Sequence, residues 1–250
     1  MIHKSLNRQF SKCAITFDGK LLDYEINNYM TLNVEGRQLL APKLSTVEVP
    51  GRNGDLVMDS KLPAREIKVH FFIMETRNAY FLELIKRLNE ILWTDEDVKF
   101  SFRDEEGYRI GRVSSIEDPP FDSNSGIGKF TIHCSDPFLY KNLKATEDKI
   151  ENLEHKKYAV KIEEIEVVTG NNEKVVVTNI NTGKKIILNH DFKDGDKVVI
   201  KKDEITINGK NGMPYLDFVE SDYQEFELFS GQEIRSNTGK IKVYYRERIL

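Results

Sequence analysis

Cysteine is almost absent from this chain: Cys13 and Cys134 are the only two in 250 residues. They form no C-x-x-C pair, so neither a structural zinc site nor a redox dithiol has local support. Free cysteine is commonly buried, which points to two packed thiols in strands, with one disulfide as the alternative. An excess of one charge is also lacking. The 37 basic and 41 acidic side chains leave a net charge of −4, divided as −2 over residues 1–135 and −2 over 136–250. Neither half offers the basic face that displaces counterions from phosphates, which argues against a polyanion binder. Long apolar runs are missing. Residues 69–74 are the most apolar stretch, His70 interrupts them, and they fall far below the ~18 residues of a membrane span. The opening MIHKSLNRQF lacks the ~7–15 apolar residues of an export signal. No N-x-[ST] sequon occurs, in agreement with a soluble chain that passes no glycosylating pathway. A chain of this length buries a sizeable core in one or two domains without disulfide staples.

What is present is mostly β pattern. Ile15-Thr16-Phe17 and Leu21-Leu22 flank Asp18-Gly19, and the glycine tolerates the positive φ of a tight turn, so a hairpin is expected over 13–24. Further strands are expected at 46–49, 67–73, 98–102, 109–116 and 129–134. One helix interrupts them: Phe81, Leu84, Ile85, Leu88, Ile91 and Leu92 recur at helical spacing, with polar residues between. Asn78 is read as its N-cap and Trp93 as closing the core at its end. Residues 140–157 are dense in charge and read as a linker or short exposed helix holding the domain boundary. Beyond them, apolar segments at 158–165, 175–180, 185–188, 197–201, 205–207, 223–229 and 240–245 alternate with Asp194-Gly195, Asn208-Gly209 and Asn211-Gly212 turns. Many short strands without a helix suggest an all-β sandwich or jelly roll.

Chemistry-bearing motifs fail one by one. Ser125-Gly-Ile-Gly-Lys-Phe-Thr131 is like a phosphate loop, but Phe130 stands where Ser or Thr must follow Gly-Lys, and it leads into a strand; a glycine-bearing turn is the plainer reading. The five histidines show no ligand spacing. Asp191–Asp196 is acidic enough for calcium but places Lys193 and Gly195 at ligand positions. His133 adjoins Cys134, yet successive strand residues point to opposite faces, so the two form no nucleophile and base. Paired carboxylates arise by chance among 41 acidic residues, and no general acid or base can be assigned without a pocket. Tyr215, Phe218, Tyr223, Phe226 and Phe229 fit either a sandwich core or a sugar-stacking platform, with core the commoner fate of such rings.

Several segments together are more specific. The hairpin 15–22, the loop Glu48-Val-Pro-Gly-Arg-Asn-Gly54 followed by Asp55, the strand Arg65-Glu-Ile-Lys-Val-His-Phe-Phe72 before the helix, and Phe130-Thr-Ile-His-Cys-Ser-Asp-Pro-Phe-Leu-Tyr140 resemble the distal tail protein family of long-tailed, non-contractile bacteriophages and prophages. Gly195-Asp-Lys-Val-Val-Ile200, Ile205-Thr-Ile-Asn-Gly209 and Tyr244-Tyr-Arg-Glu-Arg-Ile-Leu250 resemble the family's second half more loosely. Gly231 is followed by Gln232-Glu233 where members commonly carry a Gly-x-Asn turn, so the loop after Phe229 departs from the pattern.

The resemblance implies a mainly β protein. An N-terminal β-sandwich or barrel-like ring domain with one amphipathic helix would occupy 1–140, a linker 141–157, and a galectin-like β-sandwich 158–250. It implies a non-enzymatic virion protein without cofactor or metal. Six copies would form a ring, singly or stacked, at the distal end of the tail tube. The tail tube protein would dock on one face and a tip, baseplate or receptor-binding protein on the other. DNA would pass through the channel without specific contacts, no membrane would be engaged, and assembly would take place in the host cytoplasm. Arg52 and Asp55, beside turn glycines, are candidate contacts to a neighbouring subunit, with solvated hairpin charges as the other reading. The alternative function is a carbohydrate-binding module attaching the tail to the host wall, with Tyr215, Phe218 and Tyr223 as its platform.

Overall fold

Asp18 and Gly19 take φ of 47° and 74°, the positive values that a two-residue hairpin turn of matching twist requires. They join β1 (Ile15–Phe17) to β2 (Lys20–Leu21) in a computed structural model that describes residues 10–119, 124–151 and 153–250. A four-residue α1 (Leu22–Glu25) follows, then β3 (Tyr29–Glu35), β4 (Lys43–Glu48), β5 (Asp55–Lys61), β6 (Arg65–Met74), α2 (Asn78–Leu92), β7 (Val98–Phe102), β8 (Arg109–Glu117) and β9 (Ser125–Cys134). Seven of these strands form one antiparallel sheet in the order β2-β1-β7-β8-β9-β6-β3, while β4 and β5 pair only with each other. The chain divides into two compact units, one ending at Leu139 and one spanning Tyr140–Ile249.

The core of the first unit follows from period. In β6, Arg65, Ile67, Val69, Phe71 and Ile73 are buried and the residues between them are not. Against this face lies α2, burying Phe81, Leu84, Leu88, Ile91 and Leu92 with Phe17, Phe100 and Phe130. Two helix expectations are corrected. Asn78 is the first helical residue, Arg77 holds the N-cap position, and no side-chain cap forms. Trp93 is 76% exposed rather than closing the core, because one step past Leu92 rotates it about 100° off the apolar stripe. The strand β3 was invisible to the period-two pattern. A bulge between Thr31 and Asn33 breaks its phase, and its core position Thr31 is polar, satisfied by Asp23, whose carboxylate accepts from the Thr31 hydroxyl at 2.7 Å. The glycine-bearing turn expected at 125–131 is a strand: Gly128 lies in β9, where a Cβ would fall 2.4 Å from the Phe71 ring.

The second unit contains β10 (Leu139–Thr146) from its second residue on, β11 (Lys161–Val168), β12 (Asn172–Asn179), β13 (Lys185–Phe192), β14 (Lys197–Ile200), β15 (Ile205–Ile207), β16 (Lys210–Asn211), β17 (Ile234–Ser236) and β18 (Lys240–Ile249). A six-stranded sheet, β10-β18-β11-β14-β15-β16, and a three-stranded sheet, β13-β12-β17, contribute Ile165, Val198 and Val243 from one side and Val177, Leu188 and Ile234 from the other to one core. The expected linker or exposed helix at 141–157 is therefore corrected in its first part, since residues up to Thr146 are an edge strand at the rim of the six-stranded sheet, with Lys141 and Lys144 half-buried in ion pairs to Glu154 and Glu247. The strand expected at 223–229 is also absent. Only a 3-10 turn, Tyr223–Glu225, forms there. Side chains replace a ladder: buried Asn179 donates to the Glu227 carbonyl at 3.0 Å, and Gln232 accepts from the Phe229 amide at 2.9 Å. Both cysteines are free thiols, Cys134 buried in β9 and Cys13 half-buried in a turn before β1. No helix among the described residues is long and apolar enough to cross a membrane.

Candidate assembly surface

The segment between β3 and β6 turns back at Pro50-Gly51-Arg52-Asn53-Gly54. Pro50 fixes φ, while Gly51 and Gly54 take φ of 81° and 79° with open space around them, so backbone conformation alone demands glycine there. On either side β4 and β5 pair from Lys43↔Lys61 to Glu48↔Asp55, with a bulge after Ser45. Every residue from 41 to 61 is exposed. This ribbon is nonetheless not polar. Val47 stands opposite Leu56 on one face, Leu44 and Val57 lie on the other, and Met58 sits at the bulge, 63% exposed. An isolated two-stranded ribbon is marginal in water, and apolar residues on both of its faces mark a surface that requires covering.

The root of this arm is built differently. Gly36 ends β3 with φ 81°, and a Cβ there would overlap the Glu66 carbonyl oxygen at 2.1 Å. Arg65, 1% exposed, donates from Nη1 to the Gly36 carbonyl at 2.8 Å and from Nε to the Pro137 carbonyl at 3.0 Å. Arg109, 3% exposed, donates from Nη2 to the Arg37 carbonyl at 3.2 Å and grips Glu105 with both Nη atoms. Arg37 itself makes a two-pronged pair with Asp104, at 2.6 and 2.9 Å, and lies 4.7 Å from the centre of the Phe102 ring. This pair holds the Asp104 carboxyl below its ordinary range and raises Arg37. Burial, then the nearby Arg109 charge, lowers Arg65.

Of the residues singled out in the sequence, Arg52 and Asp55 lie at the arm's tip and its second strand, both exposed, and neither forms an ion pair with another described residue. The aromatic candidates separate. Phe226 is core, and Phe229 is half-buried. Tyr223 packs against the core and donates its hydroxyl to the Lys201 carbonyl. Phe218 is 69% exposed and shares with Tyr223, Ser221, Asp222, Gln224 and Glu225 a cavity of about 230 Å³. Tyr215 does not line it and instead lies tilted against His190, ring centres 4.3 Å apart. The three root arginines were missed in the sequence, where Arg65 and Arg109 resemble any solvated strand charge. For Arg65 the available signal was its place in phase with Ile67, Val69, Phe71 and Ile73 of an alternating strand; β8 offered no such pattern for Arg109. Among the described residues, no three His, Cys, Asp or Glu side chains stand together as a metal site.

Comparison with known proteins adds what geometry does not. Residues 19–133 match the family described as phage tail protein, RIFT-related domain, and residues 159–248 match that of the siphovirus-type tail component, C-terminal domain. The distal tail protein of Bacillus phage SPP1 is 26% identical over 235 residues, 89% of either chain. The crystal structure of SPP1 Dit, described as a paradigm of the hub adsorption apparatus in phages infecting Gram-positive bacteria, superposes with a TM-score of 0.80 at 18% identity, covering 95% of this chain and 99% of that one. A chain of the phage P2 baseplate in its activated conformation with calcium aligns at a TM-score of 0.55 and 9% identity, covering 89% and 91%.

Proposed function

We propose that this chain, which belongs to the distal tail protein family of siphovirus-type phages, is a structural hub in which six copies close into a ring at the distal end of a tail tube. The observation that carries this reading is the arm: twenty-one consecutive exposed residues, 41–61, with apolar side chains on both faces. A closed ring of identical chains needs two different, complementary surfaces on each copy. The arm is one of them. A second, partly exposed apolar surface in the same unit lies across β3, β6 and β9, where exposed Met30 and Ile127 flank half-buried Phe72 in register. Arg52 and Asp55 supply polar contacts to the neighbouring copy at the arm's end.

On this reading the tail tube protein docks on one face of the ring and a tip or receptor-binding protein on the other, in the virion tail. The unit from Tyr140 onward is the galectin-like domain, and the chain carries out no reaction. Net charge of −4 per copy is compatible with DNA passing through without being retained. Light scattering and negative-stain imaging of the full chain, alone and with a tube protein, test the reading. Six-membered rings are expected, and strict monomers under both conditions overturn it. A second reading, attachment to cell-wall carbohydrate, draws on the exposed Phe218 ring beside the polar groups of its cavity. Binding on a glycan array that is lost on Phe218→Ala supports it, and an array with no signal removes it.

A further inference from the structure

The arm is exposed along its whole length, yet its first two root residues are held by three guanidinium groups. Arg65 and Arg109 donate to the carbonyls of Gly36 and Arg37, and Arg37 is tied to Asp104 and lies against Phe102. Arg65 also begins β6, where the arm's return limb re-enters the sheet, so a single side chain joins the two ends of the excursion. This arrangement is costly in isolation. Two cations are almost fully buried near one another, and Arg65 has carbonyls but no carboxylate as hydrogen-bond partners. Arg65 Nη2 and Arg109 Nε are buried with no hydrogen-bond partner among the described residues. An apolar residue at position 65 would continue the β6 core pattern of Ile67, Val69, Phe71 and Ile73. A core that accepts these partly unsatisfied cations instead gains directional bonds: Glu105 neutralises Arg109, and the remaining bonds go to the arm's first two residues and to Pro137.

We propose that Arg37, Arg65 and Arg109 form a clasp that fixes the direction in which the arm leaves the body, making them positioning residues for self-association. The inference rests on the ring reading above for its consequence but not for its geometry. A ribbon hinged freely at Gly36 would sample many directions, and each docking event would have to select one. A clasped ribbon has lost that freedom before a neighbour arrives. Asp104 and Arg37 are the more accessible part of the clasp, with side chains 37% and 14% exposed. The buried Arg65 and Arg109 are unsuitable as first tests, because their removal endangers the fold.

The experiment uses the full chain with Cys13→Ser, Asn53→Cys and Glu90→Cys, spin-labelled at the arm's tip and on the exposed side of α2, at a concentration below the onset of association. The clasp predicts a narrow tip-to-body distance distribution. Asp104→Asn and Arg37→Gln should each broaden it at least about twofold, and the exchange Arg37→Asp with Asp104→Arg should narrow it again, a rescue that a merely structural role would not produce. Sedimentation of the same variants should show association weakened about tenfold by each single change and restored by the exchange. Unchanged distance widths overturn the clasp, as does association that ignores Asp104→Asn while rings form. If widths respond as expected but no variant forms a ring, the clasp stands and the ring reading falls.

Discussion

Val47 and Leu56 offer the sharpest separation between folding and assembly. They face each other across the arm and are 50% and 38% exposed in the single chain. Their free surface amounts to roughly 150 Å² of apolar area, and covering it at about 25 cal/mol per Å² is worth ~3–4 kcal/mol per contact between copies. Val47→Thr with Leu56→Thr places a β-branched residue with good strand propensity at both sites and leaves one methyl at each. The expected loss is then ~2–3 kcal/mol per contact, or roughly 30- to 150-fold in the association constant. The folded body should hardly notice, because neither side chain packs against it; a change within about 0.5 kcal/mol is usual for such surface positions. Urea unfolding measures the second quantity and sedimentation velocity the first. The reasoning fails if the double variant loses more than about 1 kcal/mol of intrachain stability, since the arm would then be packed in the monomer. It fails equally if stability and association are both unchanged.

Other expectations concern single positions. Gly128→Ala should destabilise the first unit by about 1–3 kcal/mol, read in thermal melts, because its Cβ falls against the Phe71 ring inside a packed core. The Arg37–Asp104 pair depresses the Asp104 carboxyl below its ordinary 3.8, so its stabilisation is present above that value and lost as pH falls through the depressed one. The stability gap between the wild type and Asp104→Asn should therefore be open at neutral pH and close in acid, and a gap that widens in acid contradicts the pairing. Cys134 is fully buried and its thiol is pushed up to about 12 by burial, so native alkylation followed by mass spectrometry should find label on Cys13 alone, with Cys134 reacting only in denaturant.

Local pattern was enough for much of the architecture. The Asp18-Gly19 hairpin, the alternation of β6 and the stripe of α2 are each written in a short window, because period two and period 3.6 record which side of an element meets the core. Strands of the second half were legible for the same reason, and the quoted segments carried the family. Elements that depend on distant partners were not legible. β3 hides behind a bulge and a core threonine satisfied by Asp23, β10 is a charged edge strand defined only by its pairing with β18, and residues 223–229 are held irregular by Asn179 and Gln232.

The candidate assembly surface divides in the same way. The turn at Pro50–Gly54 could be read from proline and glycine alone, since their backbone preferences are intrinsic. That Leu44, Val47, Leu56 and Val57 stay in water could not, for apolar strand residues read the same whether they meet a core or wait for a neighbour. Nor could the sequence join Arg37, Arg65 and Arg109, which lie up to 72 residues apart. Only the register of β6 and β8 within the sheet brings their guanidinium groups to the arm's root.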